Sequence, residues 1–241
     1  MEGMKRVLVV RSVHQEIGKA TARELYWLLN RLRPNVLFLE CSQADFPAFL
    51  DGSYGTLESA VVMHYRRHNE VILVPVDLHL PDAKLLKLGV DEMLDRIEVE
   101  SLRYCQLDST NCQYTAEGGF AYLNSPLNAQ LESEIQREMR ASVEAVGDSK
   151  LTELHALWTR TNDLRELEMI SRVEAFANHT SFKKGVLLVG AAHQPSLLEK
   201  SQLLHSDDTN VVVWDFDWRL EEAISDGDVG PNGDSLDRGA R

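Results

Sequence analysis

Nowhere in the 241 residues does an apolar run approach the ~20 needed to span a bilayer. The start, MEGMKRVLVV, enters a strand-like run with no signal-peptide core or cleavage site. No membrane partner is expected, and the location expected is cytoplasmic. Basic residues are in deficit, 25 Lys and Arg against 38 Asp and Glu, for a net charge of -13. With no stretch that gathers cations, the chain would repel a phosphate backbone, so nucleic acid is not an expected partner. Cysteine is scarce too. Cys41, Cys105 and Cys112 are too few and too irregular for a disulfide framework, and the spacing of the last two does not match a short zinc-binding pair.

Five short runs are continuously apolar and rich in β-branched residues: Val7 to Val10, Val36 to Leu39, Val71 to Val76, Val186 to Val189 and Val211 to Phe216. Continuous rather than alternating hydrophobicity marks strands covered on both faces. Between the first two, Ala22, Leu25, Leu28, Leu29 and Leu32 recur at helical spacing, and Pro34 stops that helix. A second helix, about Leu57 to His68, joins the second and third strands, so a β-α-β unit repeats. From Pro81 to Phe182 the pattern turns mainly helical. Asp82 is placed to cap a helix running to about Tyr104, a polar loop is expected over Asp108 to Gly119, and helices follow over Leu127 to Val146, Lys150 to Trp158 and Asp163 to Asn178.

The expected fold class is α/β: a mostly parallel central sheet of about five strands with flanking helices and a helical insertion between strands three and four. Residues 1–224 form one domain in this reading, with 81–182 as insertion or lid. The glycine- and acid-rich 225–241 is expected to be a disordered tail.

In a parallel sheet the strand-to-helix loops gather at the carboxyl edge, where ligands bind. Polar residues stand there four times: His14 after the first strand, Glu40 after the second, Asp77 after the third with His79 close by, and His193 after the fourth. Two imidazoles and a carboxylate, His14, His193 and Glu40, suit a divalent transition metal such as Zn, Mn or Co. Without metal the same set is a His/Glu acid-base pair. Each residue alone has a plainer use: a hydrogen-bonded loop histidine, or a carboxylate that caps a helix.

Taken together, GAAHQPSLLEK at Gly190 to Lys200, RPNVLFLECSQADF at Arg33 to Phe46 and RELEM at Arg165 to Met169 resemble the TraB-like superfamily. That group is related to the Tiki Wnt-cleaving proteases, the erythromycin esterases and the ChaN-like haem-binding proteins. Its second G-x-x-H falls on Gly190 and His193, its glutamate on Glu40, and its arginine, acid and methionine on Arg165, Glu166 and Met169. Its first G-x-x-H falls on Arg11 to His14, so the histidine is kept while arginine replaces glycine.

The resemblance implies hydrolysis of an amide or ester by a water that a metal, or a His/Glu pair, activates. Catalytic roles are then expected for His14, Glu40, His193, Arg165 and Glu166. Arg165 would stabilise a tetrahedral oxyanion or bind a substrate acid, with Arg11, Asp77 and His79 beside it. The expected partner is a small molecule or a peptide, an anionic one if both arginines share the mouth, with a homodimer left open. The other branch of the resemblance implies a non-catalytic protein in which the histidines hold haem or an anionic small molecule, or a sensor on the same fold.

Overall fold

A computed structural model of the protein describes residues 5–204 and 211–218. The five apolar runs are its strands: β1 (Lys5–Ser12), β2 (Val36–Ser42), β3 (Ile72–Asp77), β4 (Lys184–Gly190) and β5 (Val212–Asp215). They make one sheet in the order β3-β2-β4-β1-β5, and every neighbouring pair is parallel. Leu8 and Val10 of β1 enter one core cluster while Val7 and Val9 enter another. Both faces are therefore covered, which is why the strands show no polar alternation.

On the Leu8 face lies α1 (Ala22–Leu32), whose Thr21 side chain accepts the Glu24 N–H and whose end is turned by Arg33 in the left-handed region at φ 46. Beside it is α3 (Leu57–His68), opened by a reciprocal capping box between Thr56 and Ser59. A one-and-a-half-turn helix, α2 (Phe46–Asp51), precedes α3.

The insertion between β3 and β4 consists of α4 (Ala83–Glu100), α5 (Leu102–Leu123), α6 (Pro126–Val146) and α7 (Ser149–His179). It has its own core, in which Met93, Ile97, Leu107, Leu131, Ile135 and Leu151 meet. The far half of α7 then descends onto the sheet through Met169, Ile170, Val173 and Ala177.

Four expectations here are corrected. The polar stretch Asp108–Gly119 is helical, because Asn111 bonds Glu132, Tyr122 and Asn128 across to α6 and its own helix; only Gly119, at φ 58, breaks the geometry. The two helices expected over Lys150–Asn178 are one, since the intervening TRTN carries no glycine or proline to stop it. By helical spacing Leu167 reads as buried together with Ile170, Val173 and Ala177, yet it is 42% exposed and Met169 takes the core position. Asp82 stands at the start of α4 without making a capping bond, and that helix stops at Glu100, where Ser101 caps α5.

The connection from β1 runs through α1 toward β2, whereas β4 continues into α8 (Gln194–Leu204), whose Leu197 packs on the opposite face. Because β1 and β4 are neighbours, with Ser12 beside Gly190, their exit loops part and leave a crevice at the carboxyl edge. No helix among the described residues is long and apolar enough to cross a membrane. The tail expected over 225–241 lies outside the described residues.

Candidate active site

Three loops converge on that crevice. A Cβ placed on Gly190 would lie 3.5 Å from Glu40 Oε2 and 3.8 Å from both His14 Nε2 and His193 Cδ2. The residues read as a shared site from four strand ends do come together, and α7 brings Arg165 and Glu166 down between them. On α7 these two continue the buried stripe of Met169, Ile170 and Val173, so they are not a solvated face; Glu166 is 3% exposed.

Arg165 ties the edge together. Its Nη2 donates to Glu40 Oε1 at 2.6 Å and to Asp77 Oδ2 at 2.7 Å, and its Nε donates to Asp77 Oδ1 at 3.1 Å. The second oxygen of Glu40 accepts the Gly190 N–H at 2.7 Å. Burial would raise the Glu40 carboxyl, but His193 first, then Arg165 and His14, hold it well below the carboxylate range. Burial likewise opposes the charge on Arg165, and its bonds to Asp77 and Glu40 outweigh that and raise it.

His193 sits behind this pair. Its Nδ1 lies 2.7 Å from Glu166 Oε1 and its Nε2 3.3 Å from Glu40 Oε1. A carboxylate oxygen faces each ring nitrogen, with Arg165 Nη1 3.5 Å from Nε2, and the two negative charges favour the imidazolium. Burial lowers its pKa, but Glu40 and Glu166 more than reverse this and lift it to about 9. Glu166 is in turn held by Ser196 at 2.5 Å and Lys200 at 2.6 Å.

His14 is different. Its side chain is 60% exposed, and its Nδ1 lies 3.2 Å from Glu58 Oε1, which also accepts from Ser12 Oγ at 2.5 Å. A carboxylate can only accept, so the neutral ring carries its proton on Nδ1 and turns the Nε2 lone pair toward Glu40 and Gly190. The Glu58 bond, working against burial, raises the pKa of His14 above 6.5. Glu58 belongs to the first turn of α3, where the helix dipole favours its charge, and the Leu57 N–H donates to His14 O at 2.8 Å, docking loop on helix. Glu40 therefore does not orient His14; Glu58 does. Thr-Leu-Glu-Ser at a helix start was the available signal, a carboxylate locked into a first turn at the sheet's carboxyl edge.

His14, Glu58, Glu40 and Arg165 line a cavity of about 310 Å³ with Tyr54 and Thr56. Burial pushes the Tyr54 phenol up to about 12, so it remains a neutral donor. A second cavity, of about 300 Å³, shares Arg165 and Tyr54 with the first and includes Asp77. His79 lies outside both, 3.8 Å from Asp45. Arg11 is not at the mouth. It points from β1 into the face that α7 and α8 cover, 1% exposed, and among the described residues its Nε and Nη1 have no hydrogen-bond partner. Burial lowers it to about 10 against the pull of Asp217 and Glu132. The two arginines expected to draw an anion do not meet, and Arg165 is already neutralised.

The side chains expected to ligate a metal do not fit one in this arrangement. Among the described residues no group of three or more His, Cys, Asp or Glu side chains is disposed to hold an ion. The Arg165 guanidinium already supplies positive charge to Glu40 and Asp77, and both Glu40 oxygens are engaged, Oε1 by Arg165 and Oε2 by the Gly190 N–H. No protein-family model matches the chain, and no curated protein or solved structure matches it.

Proposed function

We propose that the chain is a hydrolase of the TraB-like type that cleaves an amide or ester with a water activated by His14. The single observation that carries this reading is the His14–Glu58 pair: Nδ1 is held by a buried carboxylate at 3.2 Å while Nε2 faces a cavity that also presents Arg165. In this reading His14 Nε2 takes a proton from water as it attacks the carbonyl carbon, and Glu58 steadies the imidazolium that forms. The oxyanion is met by the Tyr54 hydroxyl and by Arg165 through Nη1, whose contacts to Asn162 and His193 are long, 3.4 and 3.5 Å, while Nε and Nη2 stay on Asp77 and Glu40. His14 then returns the proton to the leaving group. Glu40, Asp77 and His193 are positioning residues that fix the guanidinium, and Glu166 with Lys200 fixes His193.

Only neutral His14 can act as the base, so kcat/KM should rise with pH through a pKa above 6.5. The reading is tested with p-nitrophenyl esters and peptide amides: His14→Ala should lower turnover by about 10²–10⁴-fold, and Glu58→Gln should lower it while keeping the fold. Unchanged turnover in folded His14→Ala would remove the proposal's foundation.

A further inference from the structure

The second cavity has a different character from the first. It shares Arg165 and Tyr54 with the first and adds Asp77, and the rest of its wall comes largely from the insertion: Leu86 and Val90 on α4 and Trp158 on α7, with Leu78 and Leu80 from the loop after β3. The charges on this wall are already matched. Asp77 is bonded to Arg165, Lys87 to Asp91 at 2.7 Å, and Asp45 accepts from Ser42 Oγ at 2.5 Å with His79 3.8 Å away. The Asp77–Arg165 pair is buried, so a charged ligand beside it would have to break it or go unpaired, whereas the exposed Lys87–Asp91 pair offers only a solvent-screened charge. The rest of the wall is uncharged: five aliphatic side chains, Ala83 among them, and the Trp158 indole make most of it, with the Thr161 hydroxyl and the Asn162 amide on the α7 side. At the ~30 Å³ that a water occupies in the liquid, 300 Å³ holds roughly ten non-hydrogen atoms.

We propose that this cavity takes an uncharged apolar group of the substrate, an aliphatic or aryl flank that passes Tyr54 and Arg165 to reach the carbonyl placed at His14. The substrate class is thus a neutral acyl ester or amide with a hydrophobic arm of that size. The assignment of a scissile carbonyl to the first cavity rests on the hydrolase reading, whereas the occupancy of the second can be measured without turnover. Filling an apolar cavity strengthens binding by roughly fourfold per methylene until the space is full.

The test is calorimetric titration with octanamide, butanamide, octanoate and octylammonium. Octanamide should bind at least tenfold more tightly than butanamide and than either charged octyl compound. Leu86→Trp, on a half-buried helix position, should erase the preference for the longer amide; Val90→Phe is the alternative filling change should the first variant not fold. Tighter binding of octanoate or octylammonium, or a chain-length preference indifferent to both filling variants, would overturn the proposal. A parallel turnover assay with p-nitrophenyl acetate and octanoate separates the two ideas. His14-dependent hydrolysis favouring octanoate by tenfold or more supports both. Octanamide binding with no ester turned over sinks the hydrolase reading alone, and turnover without octanamide binding sinks the apolar-pocket proposal alone.

Discussion

Replacing Arg165 with methionine keeps most of the side chain's length and removes the cation that Glu40 and Asp77 share. Asp77 is left with the Leu78 N–H at 2.7 Å, and Glu40 with Gly190 N–H and His193. Both carboxylates are about nine-tenths buried, so neither can turn to water for replacement bonds. Breaking a buried ion pair by deleting one partner costs about 3–5 kcal/mol, a large share of a domain's total of roughly 5–15 kcal/mol. The loss should depend on pH. In the wild type Glu40 is held low, so its contribution is present above the ordinary 4.5 and is lost only as pH falls through its depressed value. Without Arg165 one of the cations that lower it is gone, its carboxyl rises, and protonation relieves the variant first. Urea unfolding of both proteins at pH 7.5 and pH 5.0, at one ionic strength, measures the gap. It should be ~3 kcal/mol or more at pH 7.5 and narrower at pH 5.0. A gap below about 1 kcal/mol, or one that widens on acidification, would refute the view that Arg165 is the edge's buried counter-charge.

Arg11→Met is expected to leave stability unchanged or raise it by about 1 kcal/mol, since it removes a buried guanidinium whose Nε and Nη1 have no partner among the described residues; a loss above about 2 kcal/mol in denaturant titration would show that Arg11 has partners beyond those residues. Glu166→Gln removes the carboxylate charge facing His193 Nδ1, so the His193 pKa should fall from about 9, as read by histidine NMR. In the wild type the His193 contribution to stability is full below 6.5 and fades as pH rises through about 9; in Glu166→Gln that fading should shrink and move to lower pH.

The strands were legible because a parallel sheet buries both faces, which leaves uninterrupted apolar runs such as Val36–Leu39 and Val186–Val189. Their order was not, since pairing of β4 between β1 and β2 depends on where the helices pack and leaves no local mark. A helix end with a chemical stop was legible, Pro34 after α1. The continuous α7 and the helical Asp108–Gly119 were not, because tertiary contacts override weak local propensity there. For the site, position at a strand's end picked out His14, Glu40, Asp77 and His193, and the family resemblance added Arg165 and Glu166. Roles were less accessible. A carboxylate beside a histidine in sequence logic, Glu40, proved to clamp Arg165 and the Gly190 N–H, while the partner of His14 came from the first turn of α3. Arg11 looked available because a long cation at a strand's end can reach outward, yet strand parity turns it into the layer under α7 and α8.

The account stands on His14 being a base oriented by Glu58. Titrating the ring by long-range nitrogen-proton NMR reads both facts at once. The expected result is a neutral form protonated on Nδ1, a pKa above 6.5 in the wild type, and a drop in that pKa with loss of the tautomer preference in Glu58→Gln. A ring that titrates at or below 6.5, protonated on Nε2 and indifferent to residue 58, would contradict it.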